Sequence, residues 1–275
     1  MMKTKTEDRS VIELRGLTKR YRQVTAVDEV RVKLNNGKIY VVLGACGAGK
    51  STLLGLLAGA IRPTEGSVRV GGFDMAREPM RAKRAVAYLP AGAPLPGGLT
   101  VEEYLRFETE LRGVSFERAI RRIHDALELT DTISLRSTPI SRLSAVGCVR
   151  VAIAGMLVSN AETLILDDPT ALLTKRERED LCALLLHLAA SKTLIVASES
   201  PELATVLGAD VLWMEQGKLT AYLTPEDLTP ERMETMQAAM AAPNDAPAQK
   251  ARKAKIRREY DGEYEIIDTE REDGR

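Results

Sequence analysis

The feature that most narrows the possible folds is the run Gly44, Ala45, Cys46, Gly47, Ala48, Gly49, Lys50, Ser51, which matches GxxxxGK[ST] throughout. It follows residues 39–43, a continuous apolar run of the kind that makes a strand buried on both faces. It leads into residues 51–61, which are rich in helix formers. In such a strand–loop–helix unit the glycines let backbone N–H groups turn inward around phosphate, aided by the positive end of the helix. Lys50 is placed to reach β- and γ-phosphates and the Ser51 hydroxyl to ligate Mg²⁺, and Thr52 completes the phosphate-contacting set. A chance glycine-rich turn would lack the flanking strand and helix.

A phosphate–magnesium site of this kind also needs an acid at the end of a hydrophobic strand. Residues 164–166 are Leu-Ile-Leu and are followed by Asp167, Asp168, Pro169 and Thr170. Asp167 is expected to hold the Mg²⁺ shell and Asp168 to face the attacking water. Taken alone, two acids before a proline would also suit a helix cap; a phosphate loop in the same chain favours the catalytic reading.

The rest of the chain reads as an α/β core with a helical insertion. Residues 11–14 and 29–34 are early strands, with Asn35, Asn36 and Gly37 a turn; residues 67–70 and 85–89 add further strands. From about 100 to 160 the pattern is helical. Thr100 and Glu103 have capping-box spacing, and Tyr104, Phe107 and Leu111 line one face of the helix that follows. Residues 115–129 and 144–158 give two more helices. Strands return at 163–166 and 193–197, separated by a helix with Leu181, Leu184, Leu185 and Leu188 on one face. Residues 211–214 and 218–223 form a hairpin across Gln216 and Gly217.

Composition excludes several classes. Lys+Arg and Asp+Glu are both 39 and aromatics are 4%, so neither a global field nor a stacking platform points to nucleic acid, and no nucleic-acid partner is expected. The longest apolar stretches, 53–61 and 181–190, are far short of a membrane span, and the polar N-terminus lacks a signal-peptide core. Cys46, Cys148 and Cys182 fall in no CxxC or metal spacing, as expected in a reducing cytosol. Beyond residue 241, residues 250–258 carry six basic side chains and 259–273 carry eight acidic ones. Residues 243–275 are read as a solvated, disordered tail, with contact of its basic block to anionic lipid or RNA as the alternative.

Over about residues 10–224 the chain resembles the ATP-binding subunit of ABC transporters. The resemblance rests on the phosphate loop, on Asp167-Asp168-Pro169-Thr170, on Leu143-Ser144 opening a helix before that strand, and on Tyr21 upstream of the loop. Tyr88-Leu-Pro90, followed by Leu99 to Phe107, is similar to the gliding-motility and multidrug-export branch. The resemblance implies an α/β P-loop NTPase core of the ABC type, with an N-terminal antiparallel β subdomain and an inserted helical subdomain at about 100–160. A helical segment is expected at 225–242. It further implies ATP and Mg²⁺ as ligands, Tyr21 stacked on adenine, and Ser144 donating to the γ-phosphate held by another subunit. The implied partners are a separate membrane-spanning transporter subunit and a second ATP-binding subunit, in a homodimer or heterodimer. The implied location is cytoplasmic, on the inner face of the membrane through that partner.

Several positions depart from the family pattern. The LSGGQ signature reads Leu143, Ser144, Ala145, Val146, Gly147, and the β-branched Val146 is expected to obstruct the close approach of that helix start. Asp168 stands where the family has glutamate, one methylene short, and a displacement of about 1 Å can cost about 10²-fold in rate. Glu199 stands at the switch-histidine position; an ionised glutamate cannot donate to a γ-phosphate and repels it by about 4 kcal/mol at about 4 Å and an effective dielectric near 20. Ala91 replaces a glutamine and Thr174 an aspartate, while His124 and His187 lie on predicted helices away from the switch position. Cys46 is the odd residue of the loop, either a tolerated substitution or an oxidisable thiol before a helix start. The acid and signature departures share one chain, so every composite site built with it inherits at least one. Conversion of ATP and water to ADP and phosphate is therefore expected to be slow or lost. The alternatives are a fully active transport ATPase with compensating substitutions and a non-transport regulatory or scaffold module that binds ATP.

Overall fold

A computed structural model describes residues 10–241; the charged segment read above as a tail lies outside them. The chain opens with β1 (Ser10–Tyr21) and β2 (Val24–Asn35), an antiparallel hairpin longer than the two strands expected from sequence. Gly37, at φ +70, turns it into β3 (Ile39–Leu43), whose bounds agree with the sequence reading. The phosphate loop and α1 (Lys50–Leu57) follow. Next come β4 (Glu65–Val70), β5 (Phe73–Asp74), α2 (Pro79–Arg84) and β6 (Val86–Leu89). The helical insertion holds α3 (Val101–Leu111), α4 (Phe116–Leu129) and α5 (Ala145–Leu157). The chain then runs through β7 (Thr163–Asp167), α6 (Lys175–Ala189), β8 (Thr193–Ser198) and α7 (Pro201–Leu207). It closes with β9 (Asp210–Glu215), β10 (Lys218–Leu223) and α8 (Pro230–Ala241).

These strands make two sheets. One is four-stranded and antiparallel, in the order β2-β1-β4-β5. The other is six-stranded, in the order β10-β9-β3-β8-β7-β6, parallel except for β10. Side chains alternate between faces along a strand, and here the faces meet different cores. Val41, Leu43, Leu164, Leu166, Leu194 and Val196 pack with helices α5, α6, α7 and α8. Tyr40, Val42, Ile165 and Ile195 pack with α1 and the antiparallel sheet. Burial on both sides is why β3 and β7 read as unbroken apolar runs rather than alternating ones. This is the α/β P-loop NTPase architecture with an N-terminal antiparallel sheet and an inserted helical region.

The helical insertion has its own core, in which Val101, Tyr104, Leu105, Ile123 and Leu127 meet Val151 and Ala154 of α5. Thr100 and Glu103 form the capping box expected from their spacing. The buried face of α3 differs from the expected one. Tyr104 is buried with Val101 and Leu105, whereas Phe107 and Leu111, on the same stripe, are exposed at 47% and 66%. The buried face runs instead through Val101, Leu105 and Thr109 to the last turn, which leaves Phe107 and Leu111 on its outer side, and periodicity alone does not say which side of an apolar stripe packs. Neither α2, β5 nor α7 has a counterpart in the sequence reading.

Candidate functional site

In the parallel part of the large sheet the carboxyl ends of the strands lie along one edge, the usual place for a ligand site in an open α/β sheet. Register makes this concrete. Leu43 pairs with Ser198, and Asp167 with Ala197. The loop after β3, Asp168 after β7 and Glu199 after β8 therefore leave the sheet side by side.

The loop is held from outside by backbone. Gly44 lies so close to Met214 that a β-carbon there would be 2.4 Å from the Met214 carbonyl oxygen. The Gly217 N–H donates to Ala48 O at 3.0 Å, while Gly217 O accepts the Asp28 N–H at 2.9 Å. Gln216 and Gly217 both have positive φ, as a two-residue hairpin turn requires. The tip of the β9–β10 hairpin thus ties the loop to β2. The sequence marked this pair as a hairpin turn; its contact with the loop carries no local signal.

Gly49, at φ +101, precedes α1, which has no side-chain cap at its start and no acid in its first turn. Helices α3, α5 and α6 are capped by Thr or Ser oxygens; α2, α4 and α7 also lack a side-chain cap but begin at Pro79, Phe116 and Pro201 rather than at a lysine after a glycine loop. An uncapped helix start leaves N–H donors for an anion, so the loop fits a phosphate chain. Cys46 and Gly47 are exposed at the loop tip, Ala45 and Gly49 are partly covered, and Ala48 is buried. Ser51 is exposed and Thr52 half-buried on the first turn of α1.

Lys50 is 8% exposed. Its Nζ donates to Gly44 O at 2.8 Å, to Ala45 O at 3.0 Å and to the Glu199 carboxylate at 3.2 Å. The sequence placed Glu199 as a repeller of phosphate; its direct pairing with Lys50 is new. Asp167 is buried at the end of β7; burial of Tyr88 first, and then the charge of Asp167, pushes the Tyr88 hydroxyl up to about 12. Asp168 has a left-handed backbone, φ +49, a region that Asp tolerates better than most residues. Its N–H donates to Ala197 O at 3.1 Å, which fixes it beside β8. Burial first, then the charge of Glu199, raises the Asp168 carboxyl above the usual aspartate range, against the pull of Lys50.

The structure brings together the loop, Lys50, Asp167, Asp168 and Glu199, and leaves two expected residues apart. Among the described residues, no hydrogen bond or ion pair joins Ser144 or Tyr21 to them. Ser144 caps α5, accepting the Gly147 N–H at 3.2 Å. Val146 is half-buried against the large core, so part of its bulk is absorbed there. Tyr21 is 43% exposed at the end of β1, with Lys19 Nζ 4.9 Å above its ring. Thr174 has a local role of its own, in a capping box with Glu177 at the start of α6.

The family profile described as "ABC transporter" matches residues 27–171, more than half of the chain. The chain belongs to the ABC transporter family, as one of its ATP-binding domains. The spermidine/putrescine import ATP-binding protein PotA of Bacteroides thetaiotaomicron is 29% identical over 224 residues, 81% of this chain and 48% of that protein. The ribose import ATP-binding protein RbsA 2 of Rubrobacter xylanophilus is 38% identical over 178 residues, 62% of this chain and 34% of that one. The chain thus spans half or less of the length of these curated relatives. Among solved structures, cbiO1 from Clostridium perfringens, part of the ABC transporter complex cbiONQ, matches with a TM-score of 0.74 at 22% identity, covering 86% of this chain and 97% of that one. A nucleotide-free ATP-binding cassette from an ABC transporter matches at 0.71 and 20% identity, over 81% and 96%. These two likenesses establish the fold.

Proposed function

We propose that the chain is the ATP-binding subunit of an ABC transporter, that it binds Mg-ATP in the loop of residues 44–52, and that it hydrolyses ATP slowly or not at all. The observation that carries the binding reading is the uncapped start of α1 beside a buried Lys50 at the carboxyl edge of the sheet. In this reading Gly44 to Gly49 offer backbone N–H groups to the phosphates, Lys50 neutralises them, and Tyr21 packs on the adenine. Ser51 and Asp167 present oxygen donors of the kind Mg²⁺ prefers, with phosphate oxygens and water completing the shell. The bound ion would offset charge on the terminal phosphates.

Two features support slow turnover. The Asp168 carboxylate is on a short side chain whose left-handed backbone is fixed to β8, so its reach toward an attacking water is limited. Glu199, at the edge where a terminal phosphate would arrive, supplies an acceptor in place of a donor. Ser144 would serve a site completed by a second ATP-binding subunit, identical or not.

Among the described residues no helix is long and apolar enough to cross a membrane. In this reading the chain works on the cytoplasmic face with a membrane-spanning partner; cbiO1, which shares the fold, is part of the ABC transporter complex cbiONQ. The gliding-motility and multidrug-export placement rests on residues 88–107 alone; PotA and RbsA are, by their names, import proteins. The test is to load the protein with labelled Mg-ATP, re-isolate it and identify the nucleotide over an hour, with Lys50→Ala alongside. Intact ATP retained only by wild type is the expected outcome. Lysine-dependent ADP at ordinary ATPase rates would instead make Asp168 a working catalytic acid.

A further inference from the structure

All three N–H donors of Lys50 are engaged, two by carbonyls of its own loop and the third by Glu199, which is 149 residues away in sequence. The two kinds of partner differ in consequence. Gly44 O and Ala45 O belong to the cradle itself, and a phosphate seated there exchanges with them for the ammonium protons. Glu199 comes from the neighbouring strand end, and its side chain is 51% exposed where that of Lys50 is 9% exposed. It sits among Asp167 and Asp168, and its charge already raises the Asp168 carboxyl. The cations that act on Asp168 against this are Lys50 and Arg178 of α6.

A phosphate chain entering the loop meets these groups in order. A diphosphate fills the amide cradle and takes the two Lys50 donors now on loop carbonyls, leaving the Glu199 bond intact. A third phosphate must take the remaining Lys50 donor, so it displaces the Glu199 carboxylate and then faces it as a like charge. We infer that Glu199 is a specificity-determining residue that stands in for a terminal phosphate on Lys50 and makes this pocket prefer a nucleoside diphosphate over the triphosphate. The inference rests on the nucleotide-binding reading above and deepens it. It also recasts the resting pocket as one whose lysine is satisfied internally until a ligand arrives.

The test is calorimetric titration of the full 275-residue chain with Mg-ADP and with the Mg-complex of the non-hydrolysable imido analogue of ATP. Wild type is expected to bind the diphosphate about tenfold more tightly at low salt, the scale of one partly screened charge contact. Glu199→Gln, which keeps shape and removes charge, should raise triphosphate affinity about tenfold while moving diphosphate affinity less than about twofold. Glu199→Asp keeps the charge and should keep the direction of the preference. Wild type in about 1 M salt, where screening acts within about 3 Å, should lose most of it without any substitution. Equal shifts for both nucleotides in Glu199→Gln, or a wild type that prefers the triphosphate, would overturn the inference. Lys50-dependent binding with an unmoved ratio leaves the nucleotide-binding reading standing and removes only this one. Absence of Lys50-dependent binding of either nucleotide removes both.

Discussion

A β-carbon on Gly49 would lie 2.1 Å from the carbonyl oxygen of Ala26, so the last glycine of the phosphate loop is pressed against β2. Its φ of +101 is also costly for any L side chain. Gly49→Ala therefore meets both strain and a backbone clash, on the order of 1–3 kcal/mol for the strain alone. The expected result is a lowered urea midpoint together with lost nucleotide affinity. A variant with unchanged stability and affinity would show that β2 yields freely at Ala26.

Asp168 should make stability depend on pH in a direction opposite to that of a salt-bridged aspartate. Its carboxyl holds a proton more tightly in the folded chain than in the unfolded one, where the value is about 3.9. Between that value and the raised native one, the folded state binds more protons, so stability falls as pH rises through the window. Above the window the cost is complete. Asp168→Asn keeps a residue that tolerates the left-handed backbone and removes the charge. Without ligand it should be more stable than wild type at pH 7, with the advantage shrinking on acidification and gone below about pH 3.9. Denaturant titrations at several pH values read this directly, and an equal or lower midpoint at pH 7 contradicts it.

Gly155 lies under the Tyr104 ring. A β-carbon there would be 2.5 Å from the tyrosine oxygen and 3.0 Å from two ring carbons. Helix propensity favours Gly155→Ala by about 1 kcal/mol, but overpacking in a closed core costs about 1–3 kcal/mol. Net destabilisation is expected. Tyr104→Leu should make the same alanine neutral or favourable, and the double-mutant cycle in urea isolates that coupling. Additive effects would mean that the ring moves aside without penalty.

Much of the site was legible because its chemistry is local. The loop needs eight consecutive residues, and the paired acids need only a strand end; both stood in the sequence with their flanking elements. The capping boxes at Thr100 and Thr174 are likewise three-residue spacings, although only the first was read from sequence. What escaped is tertiary. The Lys50–Glu199 pair depends on Leu43 and Ser198 falling opposite each other across β3 and β8, a register set only when the sheet forms. Contact of Gly217 with Ala48 depends on the β9–β10 hairpin reaching back over the loop. Short elements escaped for a different reason. The six residues of α2 bury Ala82 and little else, so they carry no apolar period to detect.

The helix α5 belongs to two cores at once. Ile153 and Met156 pack with the large sheet, whereas Val151 and Ala154 pack with α3 and α4. The insertion is therefore not a detachable module. Excised at its ends, it would carry away part of the wall that covers β6, and the sheet left behind would lack that cover. The arrangement also makes α5 a shared beam. Whatever tilts the insertion must tilt Ser144 with it, so the heading of a hydroxyl outside the loop is fixed by the sheet that bears the loop.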